Sequence, residues 1–246
     1  MWDEFLKSKT KEKFDLIFLS HVLEHIVNPL KFIQECSEIC NKYIFVEVPC
    51  LDIKFLDEPY GMFAEEHVNI FTVQGLWNLM NKAGFIPVNI EMIFGLYSFL
   101  PAGWPAISTI WKKSNIIESP NLLNDSNLCL EQYLKLNEKL LQQIEIKINN
   151  IPKEDKLAIW GVGHHISMLL ANTSLKSKNI VRVYDSDKRK HGIKILGIPI
   201  TSFNREDIIS NEVEAILITT YTAQKAILRS INEMSLPCKV YTLYDI

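Results

Sequence analysis

Long apolar runs are missing from this sequence. No stretch reaches the roughly eighteen consecutive apolar residues that a membrane-spanning helix requires, so no span is expected. An excess of positive charge is missing too: 26 Lys and Arg stand against 29 Asp and Glu, for a net charge of −3. Without a basic field, nucleic acid is not an expected partner. The one basic run, Lys188-Arg189-Lys190, follows two aspartates and reads as a solvated loop. Met1-Trp2-Asp3-Glu4 lacks the cationic stretch ahead of an apolar one that marks a secretory signal. Paired cysteine spacing is absent as well. Cys36, Cys40, Cys50, Cys129 and Cys238 are odd in number, which argues against a disulfide framework. Cys36 and Cys40 fall one helical turn apart, and read as buried small hydrophobes or as a metal or redox pair. The chain is expected to be cytoplasmic and reduced.

What is present is the material of a globular core. Apolar residues make up 48% of the 246 and charged residues 22%, enough for one or two domains. Phe14 to Leu19 is a short apolar run, too short for a helix and continuous enough for a strand buried on both faces. Asn28 is placed to cap a helix that starts at Pro29. Leu30, Ile33 and Ile39, with Cys36 and Cys40, give that helix an apolar face. Tyr43 to Val48 follows as a second buried strand, ended by Pro49. The spacing predicts a βαβ unit.

Thr72 is the expected cap of a later helix, with Leu76, Leu79, Met80 and Ala83 inward and Gly84 as its stop. Phe85 to Met92 and Leu96 to Leu100 read as a strand pair, and Pro101 to Pro105 breaks the pattern. From about Asn127 to Asn149, Leu130, Leu134, Leu141, Ile144 and Ile148 recur at helical steps. That helix is either a junction helix or a coiled-coil arm. After Pro152 the strand–helix rhythm restarts: strands at Leu157–Trp160, Ile180–Tyr184, Ala215–Thr219 and Lys239–Tyr244, with helices through Ala171 and from Ala223 to Ile231. This predicts a second, small doubly wound domain.

Three segments carry candidate chemistry. The first, Phe14 to Pro29, runs Phe-Asp-Leu-Ile-Phe-Leu-Ser-His-Val-Leu-Glu-His. Ligands of open α/β sheets lie at the carboxyl ends of strands, where Ser20-His21-Val22 falls. On the residues alone, either Ser20-His21-Val22 lines a ligand there, or His21 and Glu24 merely cap a helix with His25 packed beneath. The segment closely resembles the fourth strand and following turn of class I S-adenosylmethionine-dependent methyltransferases. That resemblance implies that Ser20, His21 and Val22 wall the cofactor, S-adenosylmethionine, and that His25 faces the acceptor.

The second segment, Ala64-Glu-Glu-His-Val-Asn-Ile-Phe-Thr72, resembles the acceptor loop of sugar C-methyltransferases. It implies catalytic roles for His67 and Glu66, since a histidine held by a carboxylate suits removal of a proton as the methyl group arrives. Those enzymes carry a tyrosine three residues before the histidine, where this chain has Ala64; carbon and oxygen methylation therefore both stay open. The other reading makes Glu65 and Glu66 solvated loop carboxylates.

The third, Ile159-Trp-Gly-Val-Gly-His-His-Ile166, has two glycines of a dinucleotide-binding turn but Ile166 at the third position, and Asp185 ends the next strand. The stretch from Leu157 to Ile246 is more similar to the C-terminal Rossmann-like domain of sugar C-methyltransferases, which binds no redox cofactor and completes the acceptor cleft. His164 and His165 are expected as exposed helix-start residues.

The resemblance implies a fold class of α/β type: a partial class I sheet in residues 1–105, a helical linker in 106–152 and a Rossmann-like domain in 153–246. The family's glycine-rich cofactor loop and its ribose-binding acidic residue would precede Phe14, and its cysteine-rich zinc module has no counterpart here. The sequence reading is therefore of a truncated or split enzyme. The expected reaction is methyl transfer to a small polar acceptor, a nucleotide-linked sugar. His25 and His67 are the candidate bases, Glu66 is the orienting carboxylate, and no metal is required. The rivals are a non-catalytic remnant or subunit that binds a sugar nucleotide or partner chain, and an NAD-binding second domain. An apolar edge strand at Phe14–Leu19 further predicts a covering element: a homodimer, a partner chain, or Trp2 to Leu6.

Overall fold

The computed structural model describes residues 12–52, 58–63, 66–94, 105–115, 126–163 and 165–245. By contacts the chain divides into two units, Met1–Phe55 with Met62–Leu134, and Leu56–Gly61 with Lys135–Ile246. Its architecture is mixed α/β, with parallel and antiparallel strands. Among the described residues no helix is long and apolar enough to cross a membrane.

The first unit opens with the expected βαβ unit: β1 (Phe14–Ser20), a 3₁₀ turn (Leu23–His25), α1 (Pro29–Ile39) and β2 (Cys40–Pro49). The Asn28 side chain accepts the Lys31 N–H at 3.1 Å, and Pro29 occupies the first turn, where its missing donor costs nothing. Then come α2 (Val73–Lys82), β3 (Phe85–Phe94) and β4 (Pro105–Lys113). Thr72 caps α2 by accepting from Gly75 N at 3.0 Å. The sheet order is β1-β2-β4-β3: β1 and β2 are parallel, and β4 runs antiparallel to both neighbours.

β4 departs from the sequence reading. Its residues were expected to break the pattern and begin a helical linker at 106, whereas Ile107, Thr109 and Trp111 are buried within the first sheet. Pairing with β2 and β3 makes this segment a strand of the first sheet. The strand expected at Leu96–Leu100 lies outside the described residues.

One face of this sheet is the core. Leu19, Ile44, Val46, Val48, Ile107 and Trp111 pack there against Ile33 and Cys36 of α1 and Leu76 and Met80 of α2. Among the described residues nothing covers the opposite face, against the expectation that β1 is buried on both sides. Leu16 is 56% and Phe18 65% exposed. With Tyr43, Phe45, Val88 and Ile110 they line a shallow apolar hollow of ≈ 500 Å³. A continuous apolar run reports what a strand can bury, and the covering has to come from another element. Trp2 to Leu6 lie outside the described residues.

The helix α3 (Ser126–Asn149) precedes β5 (Leu157–Trp160), α4 (His165–Asn172), β6 (Ile180–Tyr184), β7 (Lys194–Ile195), β8 (Ile198–Thr201), α5 (Arg205–Ser210), β9 (Ala215–Ile218), α6 (Gln224–Met234) and β10 (Lys239–Thr242). The sheet order is β10-β9-β5-β6-β8-β7, parallel except for β7 with β8. Ile144, Ile148, Leu169 and Leu217 fill one face; Trp160, Tyr184, Ile216 and Ile227 fill the other. Apolar clusters on both faces explain why β5 is buried throughout.

The inward stripe of α3 differs from the expected one. Tyr133, Asn137, Ile144 and Ile148 are buried, while Leu130 is 37% exposed. Asn137 is tolerated inside because its Oδ1 accepts the Tyr60 N–H at 2.6 Å, a satisfied polar contact that an apolar period does not detect.

Candidate functional site

At the carboxyl end of β1 the chain turns sharply at His21, whose φ is +51°. A left-handed conformation is uncommon for a non-glycine residue and is held only where the surroundings fix it. The fixing contacts come from β2. His21 N–H donates to the Glu47 carbonyl at 2.9 Å, and Ser20 Oγ donates to Glu47 Oε1 at 3.0 Å. The His21 ring is clamped between two carboxylates, with Nδ1 3.1 Å from Glu24 Oε1 and Nε2 3.6 Å from Glu47 Oε1. The Glu24 hydrogen bond pushes the His21 pKa up, against the opposing effect of burial, and the Glu24 and Glu47 charges add to the rise. Val22 is half-buried against the core beneath.

The 3₁₀ turn then buries Glu24, which is 1% exposed, and its Oε2 has no hydrogen-bond partner among the described residues. His25 stands at the surface end of the turn. Its Nδ1 lies 2.8 Å from the Glu66 carbonyl. A carbonyl only accepts, so Nδ1 carries the proton and Nε2 the lone pair. That Nε2 sits 3.9 Å from Glu24 Oε1.

Asn69 ties the two candidate segments together. Its amide donates to the carbonyls of Leu23 and Ile26, at 3.2 and 2.5 Å, and its backbone N–H donates to the Glu24 carbonyl at 3.0 Å. Residues 66–71 are thereby strapped onto the turn after β1. His67 meets His25 edge to face, with ring centroids 5.1 Å apart and planes at 65°. Burial, with the neighbouring His25 adding to it, lowers the His67 pKa against the Glu24 charge, the Met62 backbone and the Glu66 charge, which raise it.

The structure thus gathers His25 and His67, but gives their carboxylate neighbour a different identity. Sequence reasoning assigned that role to Glu66. Glu66 is exposed and reaches His25 through its backbone carbonyl, whereas Glu24 shares a cluster with both histidines. Glu24, Glu47 and Asn69 were not singled out as site residues. Glu47 had a signal, a lone charge inside the apolar run Ile-Phe-Val-Glu-Val. Asn69 had none.

In the second unit the glycine turn is tight at Gly161 and open at Gly163, where a Cβ would meet nothing within 4 Å. Gly161 has φ +105°, and a Cβ there would come within 2.7 Å of Thr220 Cγ2. Asp185, at the end of the next strand, points inward: it accepts from Val162 N at 2.7 Å, Asp187 N at 2.8 Å and Lys190 Nζ at 3.0 Å. Lys190 is therefore anchored rather than solvated, while Arg189 pairs with Asp187 at 2.8 Å. His165, expected to be exposed, is 2% exposed and bonded to the Tyr244 hydroxyl; α4 turns this first-turn residue into the core. His164 lies outside the described residues.

Comparison with known proteins adds an independent finding. Residues 3–89 match the family model of a methyltransferase domain. The methyltransferase-matched segment contains β1, the turn, β2 and the 66–72 strap, and so every residue of the histidine site. Residues 153–240 match a second model, described as C2185-like, N-terminal. No curated protein matches the chain.

Among solved structures, similarity is found to magnesium protoporphyrin IX methyltransferase from Synechocystis PCC 6803, with S-adenosylhomocysteine (SAH) bound. That match has 11% identity and a TM-score of 0.32 over 44% of this chain and 48% of that one. RSP, a Rex-family repressor, matches at 15% identity and a TM-score of 0.30, over 48% of this chain and 55% of that one. The N-terminal domain of EvdMO1, solved in the presence of SAH and D-fucose, matches at 10% identity and a TM-score of 0.28, over 43% and 49%. Each match spans about half the length of the solved chain.

Proposed function

We propose that this chain serves S-adenosylmethionine-dependent methyl transfer to a small polar acceptor, a nucleotide-linked sugar, alone or as part of a longer or split enzyme. One observation carries the reading. Within the methyltransferase-matched segment, the strand-end turn and the 66–72 strap are bonded together so that His25 and His67 face each other beside Ser20, His21 and Val22.

The local charge suits a cationic cofactor. Two carboxylates, Glu24 and Glu47, flank the single His21 ring, so the end of β1 is net negative in either protonation state of that ring and attracts a sulfonium. When bound, S-adenosylmethionine supplies an electrophilic methyl group. The Ser20-His21-Val22 turn forms the wall against it. His67, kept unprotonated at neutral pH by burial, accepts the proton that leaves the acceptor oxygen or carbon as that atom bonds to the methyl carbon. His25, its Nδ1–H held by the Glu66 carbonyl, orients the acceptor through Nε2.

The test is incubation with methyl-labelled S-adenosylmethionine and a panel of nucleotide-linked sugars. Label should pass to a sugar, and His67→Ala should lower turnover by about a hundredfold. Full activity in a folded His67→Ala protein, or label found only on acceptors of another class, contradicts the proposal.

A second reading, a non-catalytic subunit that binds a partner chain, is favoured by the open apolar face around Leu16 and Phe18, since a face of this kind commonly marks an interaction surface.

A further inference from the structure

The sequence reading needs no metal, yet the donors at the turn are arranged as metal ligands are. Glu24, His25 and His67 each place one ligating atom so that all three lie within 4.8 Å of one another. We infer that these three side chains form a binding site for a divalent transition-metal cation of the zinc–cobalt–manganese group.

Three further observations support the site. The Glu24 carboxylate is 1% exposed with Oε2 unpartnered among the described residues. An uncompensated buried carboxylate oxygen is costly, and a cation is the partner that satisfies it most fully. His25 has one ring nitrogen committed to a backbone carbonyl, Nδ1 to Glu66 at 2.8 Å. This is the arrangement that fixes the tautomer of a ligating imidazole and leaves the other nitrogen's lone pair for the metal. Finally, the Glu24 carboxylate is itself oriented by His21, at 3.1 Å from Nδ1.

The donor set decides the class of ion. Two imidazoles and one carboxylate suit zinc, cobalt, manganese or ferrous iron, and suit calcium and magnesium poorly. Ligand atoms around a tetrahedral zinc lie about 3.4 Å apart, so side-chain rotations that close the cluster by about 1 Å complete the site. Three protein donors leave positions open for water or for oxygens of an acceptor. The site stands apart from the methyl-transfer reading, because a lone pair given to a cation is not available as a base in the same turnover.

Zinc titrated calorimetrically into the metal-stripped full chain should show one equivalent bound, and cobalt should give a visible d–d spectrum of nitrogen–oxygen coordination without thiolate charge-transfer bands. His67→Ala and His25→Ala, both at accessible positions, should each weaken binding at least tenfold, and Glu24→Gln should do the same if it folds. Absence of zinc binding by the folded chain overturns the site. So does zinc affinity unchanged in both histidine variants, which would place the ion elsewhere, for instance on cysteine. The readout is binding, so an inactive protein that binds zinc at these residues upholds the cation site while refuting methyl transfer, and the converse result separates them equally well.

Discussion

Two histidines within one small site are driven in opposite directions, and the difference lies in what each touches. His21 has a carboxylate hydrogen-bonded to its ring, so the protonated form is favoured; His67 is half-buried with weaker compensation, so the neutral form is favoured. For His67 acting as a base, activity requires the neutral ring. The acid limb of kcat/KM should therefore have its midpoint below the ordinary histidine value of about 6.5, and a midpoint above that value contradicts the assignment. For His21 the linkage has the other sign. A folded pKa raised above the unfolded value stabilises the fold fully below about pH 6.5 and loses that contribution as pH rises through the raised value. Chemical denaturation of wild type and His21→Asn, which also tolerates the left-handed backbone, should differ more at pH 6 than at pH 8. A difference that is constant across that range contradicts the clamp. His21, His25 and His67, which the structure brings together, sit in segments that the sequence pattern marks. The carboxylate that joins them is not marked: Glu24 and Glu66 are both acidic neighbours of histidine, and only the fold, through Asn69, shows which one turns inward.

At the scale of elements, the sequence revealed what local physics writes and hid what distant pairing decides. The caps at Asn28 and Thr72 and the stops at Pro49 and Gly84 came from short-range chemistry, and the structure contains them. The membership of β4 in the first sheet rests on pairing with β2, fifty-seven to sixty-nine positions away, and with β3, eleven to twenty-eight away, which periodicity within one segment does not report. The sidedness of β1 was hidden for a related reason: Phe-Asp-Leu-Ile-Phe-Leu records a capacity for burial, and its second face is left open. Substitutions on the two faces should therefore behave unequally. Ile44→Ala on the buried face of β2 should cost about 2–5 kcal/mol, as core truncations do. Phe18→Ser on the open face should cost under about 1 kcal/mol, as at most surface positions. Urea denaturation of the two variants checks this; a Phe18→Ser cost equal to that of Ile44→Ala would mean that the open face is covered in solution.

On the scale of the whole molecule, residues 3–89, matched by the first family model, lie in the first unit except for Leu56–Gly61, and residues 153–240, matched by the second, lie within the second. βα rhythm recurs after Pro152; in the stretch read as a linker, the expected helix is α3 (Ser126–Asn149), and β4 (Pro105–Lys113) is a strand of the first sheet. The central claim concerns the first unit, that its strand-end turn binds a methyl-transfer cofactor. The most direct test is titration of S-adenosylhomocysteine into the ¹⁵N-labelled full chain, following backbone amides by NMR. The account predicts saturable shifts at Ser20, His21 and Val22, with the amides of β10 unmoved. A folded chain whose Ser20, His21 and Val22 resonances stay fixed at millimolar ligand contradicts it.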